Sequence, residues 1–197
     1  MITLVIIGVV AAFTIPTLIN TTQKHEFVSG LKKANSVLSQ AVYKIGQNKG
    51  YPVGDYSFLE DIDFTDEFVK VVAVAKFCNT FTECAGTHTR LNNSNWDVLN
   101  NRAIVASDGQ IFQCVKTSES NTWGISEEDK TNSIVRILVD VNGQKKPNKM
   151  GYDTFIFYII NGKGIIPSGS SSTSDCNSSS HGFMCTARVL KENAINY

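Results

Sequence analysis

Residues 5–19 read Val5-Ile6-Ile7-Gly8-Val9-Val10-Ala11-Ala12-Phe13-Thr14-Ile15-Pro16-Thr17-Leu18-Ile19, and no charged side chain precedes Lys24. Such a run serves as a discarded export signal, a membrane span or an assembly element. A cleaved signal needs a basic opening, which is missing here, although Val10-Ala11-Ala12-Phe13 has the small residues of a cleavage site. As a span, Met1 to Ile19 matches the roughly 20 apolar residues that cross a hydrocarbon core. Neither use accounts for Pro16 or for the periodic pattern on its C-terminal side.

Beyond the proline, Phe27, Leu31, Ala34, Leu38, Ala41, Val42 and Ile45 recur at three- and four-residue steps. Lys24, Glu26, Lys32, Lys33, Gln40 and Lys44 fill the polar positions, and Gly46 with Gly50-Tyr51-Pro52 stops the pattern. The apolar and amphipathic runs therefore read as one helix over 1–45, about 68 Å long at about 1.5 Å per residue. Residues 1–23 form its hydrophobic membrane or assembly half; 24–197 form a head that includes its amphipathic half. Pro16 removes a hydrogen bond and crowds the Ala12 carbonyl, predicting a kink or loosened turn, and Gly8 weakens the same region.

The 197 residues suit one domain with a full core, and 18 basic against 18 acidic residues give no bulk attraction to nucleic acid. Of the five cysteines, Cys78 and Cys84 form one close pair and Cys176 and Cys185 another. Behind an export segment such pairs read as disulfides formed outside the cytoplasm. A bridge from Cys176 to Cys185 would limit the freedom of the polar loop it brackets. Cys114 is left over as a small buried hydrophobe. Ser168 to Ser180 reads as a mobile exposed loop.

A second helix is expected over Asp66 to Cys78 behind Thr65 as N-cap, followed by a polar loop from Asn79 to Asn101. Asp108-Gly109 joins two strands, Ala103 to Ser107 and Gln110 to Lys116, as a hairpin. Ser133 to Val141 reads as a third strand, and Thr154 to Ile160 as a fourth that turns at Asn161-Gly162. Apolar residues on both faces of the fourth mark it as an interior strand, one face under the long helix and the other partly under a short helix over Thr186 to Ala194. The architecture is α+β, a long N-terminal helix on a roughly four-stranded antiparallel sheet. Asp140, Asn142, Asn148 and Asp153 offer oxygen ligands of the kind calcium takes, without EF-hand spacing; the same side chains also stabilise turns by themselves. His25, His88 and His181 have no nucleophile beside them, and Gly162-Lys163-Gly164 lacks the context of a phosphate loop. No catalytic constellation is present in the sequence, and no enzymatic activity is expected.

The run Ile2 to Pro16, with Gly8, Ala11-Ala12 and Pro16 in that order, closely resembles the N-terminal methylation segment of type IV pilins and of the pseudopilins of type II secretion. Asp140-Val141-Asn142-Gly143 through Asp153-Thr154-Phe155 looks like the connection before the last long strand of pilin-like heads, near where some pseudopilins bind calcium. The resemblance implies a single-pass inner-membrane precursor that meets prepilin peptidase and the pilus assembly machinery, then self-assembles into a helical homopolymer at the cell surface. It makes Gly8, Ala11, Ala12 and Pro16 the assembly residues and places the Cys176–Cys185 loop on the filament surface. The alternatives are a pseudopilin and a membrane-anchored extracytoplasmic binding module. In the family, a processing glycine and a glutamate precede the part matched here, so a coding start upstream of Met1 is expected. The intact mass of native protein should then include residues before Met1 that begin with a methylated amino terminus; a native chain starting at Met1 would contradict this.

Overall fold

The computed structural model describes residues 2–97, 101–117 and 122–197, without the side chains of 2–11, 13 and 15–17. Helix α1 spans Ile2–Lys49 without interruption, so Pro16 does not end it. It runs a turn beyond the apolar stripe and stops where Gly50 adopts a left-handed φ of 80°. The stripe packs as its spacing demands: Leu31, Ala34 and Leu38 are wholly buried, with Phe27, Val42 and Ile45 nearly so. Gly30 permits the closest approach, because a Cβ there would lie 3.0 Å from Val141 Cβ.

After α1 come a short 3-10 turn, Ser57–Glu60, and α2, Phe64–Val71. The strands are β1 Val74–Cys78, β2 His88–Thr89, β3 Asn95–Trp96, β4 Ala103–Ala106, β5 Ile111–Lys116, β6 Ser133–Asp140, β7 Thr154–Ile160 and β8 Gly164–Pro167. Helices α3, Phe81–Ala85, α4, Glu127–Thr131, and α5, Thr186–Glu192, complete the chain. The main sheet has six antiparallel strands in the order β1-β4-β5-β6-β7-β8, and β2 pairs with β3 separately.

Every residue of β7 is buried, and its two faces belong to two cores. Phe155, Phe157 and Ile159 join α1, Phe112 and Ile137 in the larger one. Ile156, Tyr158 and Ile160 join Phe81, Ile111, Leu138 and Phe183 in the other.

The sheet thus has six strands rather than four, because both edge strands escape sequence reading. The apolar spacing that suggests a helix through Cys78 is cut at Val71; Val72 is already extended, with ψ 139°, and β1 pairs with β4. The helix cap is Asp63, whose carboxylate accepts from the Thr65 N–H at 2.8 Å, not Thr65 itself. Strand β8 is four residues closed by a proline, too short to carry an alternation signal. The stretch expected to be loop from Asn79 to Asn101 contains α3 and the β2–β3 pair. Helix α5 does not cover the second sheet face: Val189 belongs to the α1-side core, and α3 with Phe183 and Trp123 covers that face instead.

Leu38 is wholly enclosed between helix and sheet, so Leu38→Ala should destabilise the head by about 2–5 kcal/mol, read as a lowered urea midpoint of the full chain in detergent.

Candidate functional site

Two features stand apart from ordinary core packing. The first is the part of α1 before the head. Ala12, Thr14 and every residue from Leu18 to Gln23 are exposed, Leu18 to 69%, and the first buried residue among those described is Phe27. Gly8, Ala11 and Pro16 lie in the same helix, and their surroundings fall outside the described residues. Among the described residues no helix is long and apolar enough to cross a membrane, and most side chains of the apolar run before Leu18 lie outside that description. Where the helix meets the head, Lys24 Nζ donates to the Ile195 carbonyl at 2.9 Å and lies 5.9 Å from the Tyr152 ring centroid, fastening the C-terminal segment to the neck.

The second feature is a buried polar node at the neck end of the sheet. It gathers the four candidate oxygen donors and adds His88, which the sequence did not place beside them. Asp140 and Asp153 are wholly buried. Asp153 accepts the backbone N–H groups of Asn148 at 2.7 Å and Lys149 at 2.6 Å, one on each oxygen. Asp140 accepts the Asn142 N–H, and its other oxygen lies 3.2 Å from His88 Nε2. His88 Nδ1 sits 3.0 Å from the Gly86 carbonyl, which only accepts, so Nδ1 carries a hydrogen. Burial pushes the Asp140 carboxyl above the usual range, against the hydrogen bonds from His88 and the loop backbone that lower it. Asn148, at φ 52°, donates its side-chain amide to the Ala85 carbonyl at 2.6 Å, and Asn142 donates to the Lys145 carbonyl at 2.9 Å.

Calcium takes six to eight oxygens, and of the four candidate donors Asn142 Oδ1 and Asn148 Oδ1 are buried without a hydrogen-bond partner among the described residues, while the two carboxylates are engaged. Both Asp153 oxygens are turned to backbone N–H groups and Asp140 is joined to His88, while among the described residues no three His, Cys, Asp or Glu side chains converge as a metal site. The arrangement fastens the loop after β6 to the segment between α3 and β2. His88 and Asp140 are 52 positions apart, so no local motif announces their meeting.

Both cysteine pairs are disulfides, Cys78–Cys84 tying β1 to α3 and Cys176–Cys185 closing the polar loop. Cys114 is free and buried, and burial pushes its thiol far above the usual range. The serine-rich segment is an exposed loop at 170–174 and 177–179, as expected, but it is anchored to the head at several points. Ser168 is wholly buried with its hydroxyl 2.7 Å from the Trp123 carbonyl, and Asp175 accepts the backbone N–H groups of His181 and Phe183, each at 2.9 Å.

No protein family, curated protein or solved structure matches the chain.

Burial, reinforced by the neighbouring Asp140 charge, pushes Asp153 up to about 7 against the two N–H bonds that lower it. An aspartate in the unfolded chain titrates near about 4. Between these values the folded protein keeps a proton that the unfolded chain has lost, so stability falls as pH rises through about 4 to 7 and then levels off. The urea midpoint should be higher at pH 5 than at pH 8, and Asp153→Asn should flatten that slope while lowering stability overall, because its NH2 would face a backbone donor. Equal slopes in parent and variant would remove Asp153 as the source.

Proposed function

We propose that this chain is a structural subunit of a type IV pilus-like filament, held in the inner membrane by its first 23 residues and polymerised through the same helix. The observation that carries the proposal is one unbroken helix with two unlike halves. Its second half is buried against the sheet from Phe27 onward, and about 33 Å of it precedes Lys24, at about 1.5 Å per residue, with no charged side chain. An apolar helix that leaves lipid must be covered again. Packing among copies of itself in a filament core covers it while polar heads face water.

Gly8, Ala11 and Ala12 suit that role because small residues let helices approach closely. Pro16 suits it because the hydrogen bond it lacks lets one turn loosen during transfer from lipid to filament. The loop closed by Cys176–Cys185 fits a filament exposed outside the cell, where disulfides persist. A pseudopilin would use the same parts in a shorter assembly.

Mechanical shearing of producing cells should release the full chain as filaments visible by electron microscopy. Recovery only as a membrane-bound monomer would leave the helix as a tether and favour an anchored binding module. Ala11→Leu with Ala12→Leu should cut the filament yield by about tenfold through steric separation of the helices. Pro16→Leu should give filaments of altered helical geometry, and unchanged geometry would remove Pro16 from the assembly residues.

A further inference from the structure

The head's exposed charges are sorted by height along α1. Its neck end is marked by Gly30, which packs against Val141 and accepts a hydrogen bond from Gln110. The turn at 107–110, the loop at 141–153 and the C-terminal segment gather there. Its distal end is marked by Gly46 against Phe58 and by the Lys49–Glu67 ion pair. The stretch from 50 to 67, α4 and the turn at 161–163 gather at that end, as shown by the Tyr56 N–H donating to Asn161 and Lys163 pairing with Asp129. The two levels, Lys24 and Lys49, are about 38 Å apart at about 1.5 Å per residue.

At the neck end, Lys24, Lys32, Lys145, Lys146 and Lys149 have no carboxylate partner among the described residues. The acids there are mostly engaged: Asp108 pairs with Lys33 at 2.8 Å, Glu192 with Arg188 at 2.9 Å, Asp175 accepts the N–H groups of His181 and Phe183, and Asp140 and Asp153 are buried, which leaves Glu26 and Asp97. At the distal end the balance reverses. Asp55, Glu60 and Asp61 have no cationic partner among the described residues, and Glu128 lies beside Lys163 without a direct ion pair. Arg102 is held by Asp63 and Asp66, Lys49 and Lys70 by Glu67, Lys130 by Glu127 and Lys163 by Asp129. Lys44 remains, and Lys116 donates to the Glu60 carbonyl. A chain with no net charge therefore carries a positive collar at one end of its head and a negative rim at the other.

We infer that these two ends are the complementary halves of a head-to-tail contact, the acidic rim of one copy seated on the basic collar of the next. A second copy is the occupant that the charges select, because rim on collar sets unlike charges together while rim on rim or collar on collar sets like charges together. Such a contact joins two different surfaces, so each copy can carry one neighbour at either end, and it propagates as an open array when successive rotations do not close a ring. The inference rests on the filament reading and adds to it which surfaces of the heads meet.

The test uses the full chain, purified in detergent and assembled by detergent removal, with polymer measured by sedimentation. Lys145→Glu with Lys146→Glu, and separately Glu60→Lys with Asp61→Lys, should each lower sedimenting polymer by about fivefold at about 0.1 M NaCl, where charges act over about 10 Å. Combining all four substitutions should restore the yield to within about twofold of the parent, since the unlike pairing is regained in reverse. All these positions are exposed, and matching thermal melts check that the heads fold. As an independent measurement, mixed Asp61→Cys and Lys146→Cys chains should form an intermolecular disulfide in the polymer that neither forms alone. A parent that polymerises while the paired reversals match it, or while the combined variant stays as low as either pair and the mixed cysteines fail to cross-link, overturns the head-to-tail contact alone. A parent that gives no polymer overturns the filament reading and this contact with it.

Discussion

The apolar stripe of α1 on the sheet is the contact on which the rest of the molecule depends. Leu31, Leu38 and Ile45 meet Phe112, Ile137 and Phe157 in one continuous core, and among the described residues no other helix of the head is long enough to cover that face. Burial of this kind is the main favourable term in folding, and it acts here along a helix that also extends beyond the head. One element thus joins the stability of the head to the disposition of the apolar segment before it. Any function that draws on that segment inherits a rigid connection rather than a loose linker.

The second sheet face is held differently. Short elements cover it, α3 and the segments bearing Trp123 and Phe183, and such elements bury little apolar area each. Covalent and polar fastenings supplement them: the Cys78–Cys84 bridge at one side, the Cys176–Cys185 bridge at another, and the His88–Asp140–Asp153 node beneath. Buried ionisable groups are costly unless each is partnered, and here backbone N–H groups and the His88–Asp140 contact meet that demand. This division places the stable long helix on one side of the sheet and the cross-linked, polar connections on the other.

Legibility in the sequence followed the range of the signal. The long helix, the Asp108-Gly109 hairpin, strands β6 and β7 and the two cysteine pairs are all written in residues close together, and each emerged near its expected place. Strand β1 was hidden because Val71, Val72 and Ala75 continue a helical spacing that Val72 breaks only when β4 is present to pair with the chain beyond it. Strand β8 was hidden by its shortness. The four candidate oxygen donors do converge, the two carboxylates turned toward backbone N–H groups and His88 and the two amide oxygens left without a hydrogen-bond partner among the described residues.

By itself the sequence determined that a long helix with an uncharged first part and an amphipathic second part would lie on an antiparallel sheet, because hydrophobic periodicity and turn residues act over a few neighbours. Only the tertiary structure decided that the sheet has six strands, that His88 joins Asp140 across 52 positions, and that lysines and carboxylates without an ion-pair partner among the described residues gather at opposite ends of the head. Those outcomes depend on which distant segments the core brings together, and chain folding sets that distance independently of separation along the sequence.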